Sequence, residues 1–175
     1  MNSYTEKNDH AHAGEFQENF ELLRGVPFFS GLSPECCKVV AYLAVRETVK
    51  QGENLFTTGE DDGRAYLFLS GTAELFYEGE SGDNQVGTFK AGDFISGLCL
   101  LSPMLRVFSL RARETCSLLV VTREKFGKAM ESFPQELPRI LKSVVKAIRD
   151  WEDIFAREHA LSCPACKMRL GVSLL

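Results

Sequence analysis

Hydrophobic and polar positions divide the chain into three zones, each with its own periodicity. In the first zone Phe16, Phe20 and Leu23 recur at helical spacing, which predicts a short helix that ends near Gly25. Residues 1–14 precede this helix and are polar with few apolar anchors, so we expect them to be disordered.

The second zone, which follows Val45 and ends at Thr122, has the pattern of an antiparallel β protein. Short segments rich in β-branched and aromatic residues, such as "AYLFLS" and "AELFYE", alternate with eight glycines between residues 52 and 92. Glycines at such intervals mark turns, and short strands joined by turns are typical of a sandwich or a barrel. "RVFSLRARE" and "CSLLVVT" add two further strands.

Helices are predicted on both sides of the strands. Before them, Ser33 is a favourable N-cap, and Pro34 suits the first position of a helix through "ECCKVVAYLA". After them, Thr122 caps "TREKFGKAMESF". A longer helix then spans roughly Pro138 to Ala160, which is about 35 Å at 1.5 Å per residue.

An apolar seam runs along this last helix. Its members step by four and three residues alternately, as the a and d positions of a coiled coil do: Leu137, Leu141, Val144, Ile148, Trp151 and Phe155. Apolar residues beside the seam leave one face for the chain's own core and another for a partner helix. We therefore expect a homodimer through this helix; the alternative is a helix that covers only its own core.

The composition suits one domain with helices at its ends. The chain has 175 residues, of which 45% are apolar, enough to bury one sizeable core. We predict a mainly β member of the α+β class: an antiparallel β-roll, or jelly roll, with short N-terminal helices and a long C-terminal dimerisation helix. Its predicted parts are a disordered N-terminus (1–14), the roll (15–134), the dimerisation helix (135–160) and a tail (161–175).

Charge and cysteine content narrow the class of protein. With a net charge of −4 and interspersed acids and bases, the chain has no basic face for nucleic acid. The polar N-terminus is no signal peptide, and no apolar run approaches the roughly 20 residues that span a bilayer. We expect a cytoplasmic protein without membrane or disulfides. We also expect four cysteines to be buried, where they act as small apolar residues: Cys36, Cys37, Cys99 and Cys116.

Four motifs occur in order along the chain: "PFFSGL" before the strands, "GENLFTTG" at 52–59, "YLFLSG" at 66–71 and "AGDF" at 91–94. Together they resemble the cyclic nucleotide-binding domain of Crp/Fnr-type regulators, kinase regulatory subunits and gated channels. The resemblance covers about residues 16–160. It implies a regulatory module that senses a ligand and passes the signal to an effector protein, which the sequence does not identify.

Arg106 follows twelve uncharged residues (94–105), and an arginine in apolar surroundings needs an anion. In the resembling family an arginine and the amides of a short helix hold the cyclic phosphate; the resemblance implies that "ISGLCLL" forms this helix and Arg106 is that arginine. For cyclic AMP or cyclic GMP it implies a site of Gly97, Leu98, Arg106, Val107, Ser109 and Trp151. The alternative is an internal ion pair of Arg106 with Glu114, Asp93 or the acids at 60–62.

The chain departs from the family at the residue that binds the ribose. Where the family has glutamate this chain has Gly97. Loss of a charge-assisted bond of about 1.5 to 3 kcal/mol predicts affinity weaker by about 10- to 100-fold. Gly97→Glu is expected to raise the affinity where the position tolerates a side chain. Val107 has no side-chain donor, whereas Ser109 has one; Trp151 either stacks on the base or is an ordinary seam aromatic.

Other functions compete with cyclic nucleotide sensing. A metal oxygenase or isomerase on a small roll needs histidines on facing strands, but all three histidines lie outside the predicted strands, so we expect no enzyme. A roll that has lost its ligand and persists as a dimerisation module is the chief alternative; a haem sensor with cysteine ligands is another. Only 15 residues follow Ala160, so we expect no helix-turn-helix domain and no direct DNA binding, in a free-standing module or a fragment.

Cys163 and Cys166 form a C-x-x-C pair in the tail, similar to one knuckle of a zinc ribbon. Structural zinc sites usually have four ligands, and a parallel dimer would bring two such pairs together. His159 is an alternative third ligand. The other interpretation is a disordered tail with two free thiols.

Overall fold

The computed structural model describes residues 3–79 and 82–160, and so Cys163 and Cys166 lie outside the described residues. Helix α1 spans Ser3–Gly25, α2 Pro34–Leu43, α3 Arg123–Ser132 and α4 Leu137–Phe155. The strands are β1 Val45–Val49, β2 Asn54–Phe56, β3 Arg64–Ser70, β4 Thr72–Gly79, β5 Gly82–Lys90, β6 Phe94–Ile95, β7 Ser109–Ala112 and β8 Cys116–Thr122. Short 3-10 helices cover Gly97–Leu100 and Pro134–Glu136, and a π-helical turn covers Ala156–Ala160.

The ends of the helices follow from their capping residues. The Ser33 hydroxyl accepts from the amide of Cys36 at 3.4 Å, and the Thr122 hydroxyl accepts from the amide of Lys125 at 3.3 Å. Both predicted N-caps are therefore confirmed.

Helix α1 ends at Gly25 as predicted, but it begins at Ser3, so the prediction of disorder is wrong for residues 3–14. No proline occurs between Ser3 and Gly25, so nothing breaks the helical backbone as it continues N-terminally, through Gly14, from the turns that Phe16 and Phe20 anchor. The expected disorder of residues 1–14 rested only on their lack of apolar side chains.

Two four-stranded antiparallel sheets form the roll, in the orders β1-β8-β3-β6 and β2-β7-β4-β5. Neighbouring residues of β3 and β8 face opposite sides of their sheet, as the two-residue period of a strand requires. Tyr66, Phe68, Leu118 and Val120 point into the interior between the sheets. Ala65, Leu67, Leu119 and Val121 point outward onto the helices. The predicted mainly β class with a jelly roll is confirmed.

The helices cover the outer face of the first sheet. Their buried side chains include Leu23, Phe29, Phe126 and Ile140, which lie in one cluster with the outward residues of β3 and β8. All four cysteines predicted to be buried are buried: Cys36, Cys37, Cys99 and Cys116. Burial raises the pKa of the Cys36 and Cys37 thiols to about 11. No described helix combines the length and the apolarity that a membrane crossing requires.

Glu136 is a buried carboxylate that joins α2 to the start of α4. Its Oε2 accepts from the backbone amide of Ser33 at 3.2 Å and from Arg139 Nη1 at 3.0 Å. Burial by itself raises the pKa of Glu136, but the hydrogen bonds from Ser33 and the charge of Arg139 outweigh it and hold that pKa below its usual range. The charged carboxylate therefore stabilises the fold.

Glu136→Gln is expected to lower the free energy of unfolding at pH 7 by about 1–3 kcal/mol, because two bonds lose their charge. A folded-state pKa below the unfolded value gives stability above the unfolded pKa that is lost as the pH falls. The difference between wild type and variant in urea unfolding should therefore shrink below about pH 4. The exposed Glu131→Gln is the control; a constant difference down to pH 3 would contradict this role of Glu136.

Candidate functional site

Arg106 lies at one end of the roll interior and is only 7% exposed. Its guanidinium carbon is 4.1 Å from the centre of the Phe56 ring and 6.0 Å from that of Tyr66, two members of the interior cluster. The backbone is held on both sides: the Arg106 amide donates to Glu60 O, and the Gly59 amide donates to Arg106 O, both at 2.8 Å. These two backbone hydrogen bonds, which resemble strand pairing, fix the position of the Arg106 Cα.

Four of the guanidinium's contacts are to other segments of the chain. Nη2 donates to Asp62 Oδ1 at 2.5 Å and to Arg64 O at 2.7 Å. Nη1 donates to Ser96 Oγ at 2.5 Å and lies 3.2 Å from Cys99 Sγ. The Nε–H is buried and meets no acceptor among the described residues.

Arg106 forms an ion pair with Asp62, and an internal ion pair was the alternative to phosphate binding that the sequence left open. Of the acids at 60–62, Asp62 is the one that reaches it. Asp62 also accepts from the Tyr66 hydroxyl at 2.7 Å and from the Arg64 amide at 3.2 Å. Burial, followed by the hydrogen bond to Asp62 and its charge, raises the pKa of Tyr66. Asp62 thus accepts from three residues at the end of the roll interior.

The 3-10 helix Gly97–Leu100 takes the place predicted for the short helix. Ser96 precedes it at φ +68°, a left-handed conformation that is uncommon outside glycine, and directs its Oγ to Arg106. Arg123 Nε donates to Cys99 O at 2.7 Å, and the Arg123 guanidinium pairs with Asp61. Arg123 is absent from the predicted site. The sequence places Arg123 in the first turn of a capped helix, and nothing in that local pattern indicates a hydrogen bond to Cys99 O.

The six predicted ligand residues fall into separate places. Arg106 lies at one end of the roll interior, and Ser109 is buried at the start of β7, where its Oγ accepts from the Thr58 amide at 2.9 Å. Val107 is 66% exposed. The other three line a cavity on the outer side of the sheet: Gly97, Leu98 and Trp151. The structure therefore does not bring the six together.

This outer cavity has a volume of about 780 Å³ and lies between α1, α4, β3 and the 3-10 helix Gly97–Leu100. Leu67 and Leu69 line it, whereas Tyr66, which precedes Leu67 in β3, contacts Arg106 from the opposite face of the strand. The strand therefore separates the cavity from the Arg106 site. Trp151 stacks on Phe155, with ring centres 5.3 Å apart, as a seam aromatic would.

Gly97 has no room for a side chain. A Cβ built there would lie 2.8 Å from Phe28 Cδ2 and 2.9 Å from Phe94 Cε1. Gly97→Glu was expected to raise the affinity only if position 97 tolerates a side chain, and the structure shows that it does not.

Gly97→Ala is expected to cost about 1–3 kcal/mol of stability, because the methyl group overpacks the two phenylalanine rings. The matched control is Gly87→Ala, since no atom lies within 4 Å of a Cβ built at Gly87. Urea unfolding of both variants measures the difference. Equal stability of the two would show that the rings move aside without cost.

A family model described as "Cyclic nucleotide-binding domain" matches residues 46–133, a range that begins in β1 and ends just after α3. The chain belongs to this family. The cyclic nucleotide-binding domain here is 32% identical over 112 residues to a cAMP-dependent protein kinase regulatory subunit of Emericella nidulans, over 62% of this chain and 26% of that one. The chain spans 15 to 28% of the length of the first three curated relatives it matches.

Solved structures agree with the fold of this cyclic nucleotide-binding domain. The N-terminal domain of a transcriptional regulator from Streptomyces coelicolor A3(2) has a TM-score of 0.67 and 22% identity, covering 75% of this chain and 95% of that one. The catabolite activator protein of Thermus thermophilus has a TM-score of 0.59 and 24% identity, covering 77% of this chain and 65% of that one. These structures confirm the fold that the resemblance to Crp/Fnr-type regulators implied.

No group of acidic, histidine or cysteine side chains in residues 3–79 and 82–160 could hold a metal ion. The zinc predicted at Cys163 and Cys166 concerns residues beyond that range and stays a prediction.

Proposed function

We propose that this cyclic nucleotide-binding domain is a regulatory module that senses a cyclic nucleotide or another phosphate-bearing ligand through Arg106. The ligand would lie at the Arg106 end of the roll, against the amides that begin the 3-10 helix Gly97–Leu100. Cys99 N donates to Ser96 O at 3.0 Å, which leaves the amides of Gly97 and Leu98 without a partner in this helix and able to donate to an anion. Relatives named as regulatory subunits of cAMP-dependent kinases support this function.

The observation that carries the proposal is the buried Nε–H of Arg106. A buried donor without an acceptor costs about 1–3 kcal/mol, and a phosphate oxygen would remove that cost. Ser96 and Cys99 hold Nη1 through one hydroxyl and one weakly accepting thiol, both of which an anion could replace. Asp62 stays on Nη2 and keeps the guanidinium oriented.

Cyclic nucleotides are expected to bind weakly. No carboxylate is available at position 97 for the ribose hydroxyl, and Phe28 and Phe94 leave no room for one. The missing carboxylate lowers the affinity less for phosphate-bearing ligands that do not need this contact to the ribose.

Calorimetric titration with cyclic AMP, cyclic GMP and cyclic di-GMP tests the proposal. Arg106→Lys keeps the charge but removes Nε and the planar fork, so it should weaken any binding by at least about tenfold. Arg113→Lys, which changes an exposed arginine in the same way, should leave it unchanged. If the wild type takes up none of the three at millimolar concentration, the sensing function fails.

The second candidate is a ligand-free dimerisation module. It is favoured by the pairing of Arg106 with Asp62, which already neutralises the charge that would attract a phosphate. The seam of α4 supports a homodimer: Leu137 and Leu141 are exposed, and so are Val145 and Ile154 beside it. In either case we propose that the dimer of α4 carries the signal or the contact to an effector protein, without catalysis and without direct DNA binding.

A further inference from the structure

We propose that the outer cavity is a second ligand site, for a ring-containing apolar molecule without negative charge. It is distinct from the Arg106 site and does not depend on nucleotide sensing there. Its volume of about 780 Å³ lies within the range of roughly 300–1,000 Å³ that is typical of small-molecule sites.

The lining of the cavity is chiefly apolar and aromatic. Phe28 and Phe94 form one wall, Leu67 and Leu69 the floor, and Val144 and Trp151 the side that belongs to α4. Protein interiors normally pack with few voids larger than a water molecule. A space of this size between helices and sheet is therefore suited to a guest with rings of its own.

The charges at the cavity select against anions. Its ionisable lining residues are Glu18 and Asp93, and no lysine or arginine of the described ranges lines it. Arg46 pairs with Glu18 at 2.8 Å from outside the lining, while Asp93 Oδ2 accepts from the amide of Lys90 at 2.8 Å. A carboxylate without a cation beside it repels a phosphate or sulfonate and tolerates a neutral or amine-bearing molecule. The cavity therefore disfavours nucleotides.

Two dyes of nearly equal shape provide the test. N-phenyl-1-naphthylamine is uncharged, and 8-anilinonaphthalene-1-sulfonate has the same rings with a sulfonate. Trp151 is the only tryptophan of the chain and lines the cavity, so energy transfer from it follows dye binding, and variants that fill the cavity locate the bound dye. We expect saturable binding of one uncharged dye per chain and an affinity for the sulfonate weaker by about tenfold or more.

Two neighbouring valines of α4 give matched variants. Val144 lines the cavity, and Val144→Phe should fill it and weaken the uncharged dye by about tenfold or more. Val145 is exposed and does not line it, so Val145→Phe should leave the affinity within about twofold. Ala147→Phe, also in the lining, replaces Val144→Phe if circular dichroism shows that the latter does not fold. Asp93→Asn should narrow the gap between the two dyes.

Equal affinity for both dyes would overturn the proposal, and so would binding that survives both filling variants. Unsaturable binding, or no binding of the uncharged dye, would also overturn it. Arg106→Lys should leave the uncharged dye unaffected, so failure of nucleotide sensing and failure of this site are told apart.

Discussion

Arg106→Met is expected to lower the free energy of unfolding by about 3–5 kcal/mol, because it leaves a buried carboxylate without its cation. The Asp62 side chain is only 16% exposed, so water would solvate the remaining charge poorly. A role of Arg106 in ligand binding alone would instead predict an intact fold. Urea unfolding at pH 7 measures the difference.

The double variant Arg106→Met/Asp62→Leu should recover much of this loss, since it removes both charges and leaves the Tyr66 hydroxyl its bond to Leu55 O at 3.2 Å. Arg113→Met is the matched control: its partner Glu74 is 3.9 Å away and the Arg113 side chain is more than half exposed, so a loss below about 1 kcal/mol is expected. If the losses of unfolding free energy in Arg106→Met and Asp62→Leu add up to that of the double variant, the two residues are not a coupled pair.

Leu137→Glu combined with Leu141→Glu is expected to weaken the proposed homodimer by at least about 100-fold, because four like charges would meet across the seam. Both residues are exposed in the single chain, so the monomer should keep its fold. Val144 packs against the chain's own core, and a change there would not separate dimerisation from folding. Sedimentation at tens of micromolar measures the mass.

Lys142→Glu, a charge change of the same helix at an exposed polar position, is the control and should leave the dimer intact. A wild-type chain that sediments as a monomer at these concentrations would remove the dimer from the proposal. In that case the apolar residues exposed on α4 need another partner.

Local signals predicted the elements of this fold well. Ser33 and Thr122 cap helices because their hydroxyls suit any exposed helix start, and the alternation along β3 follows from the strand itself. The start of α1 escaped prediction because it depends on continuation from an anchored helix rather than on side chains of its own. Features set by a few neighbouring residues were predictable, and features inherited from distant packing were not.

The site shows the same division. The isolation of Arg106 in an apolar run correctly indicated a buried cation in need of an anion. Which anion is a matter of tertiary structure: Asp62 is 44 residues away in sequence and reaches Nη2 only because β2 and β7 pair. The outer cavity was beyond prediction for the same reason, since α1, β3 and α4 contribute to it from widely separated parts of the chain.

The pairing of β1 with β8 brings the two ends of the roll together. Val45, the first residue of the roll, lies opposite Val120, and Val49 lies opposite Cys116. Residues paired in this way have Cα atoms about 5 Å apart, so the chain enters and leaves the roll at almost the same point. The helices attached there, α2 before β1 and α3 after β8, therefore leave the roll from neighbouring points.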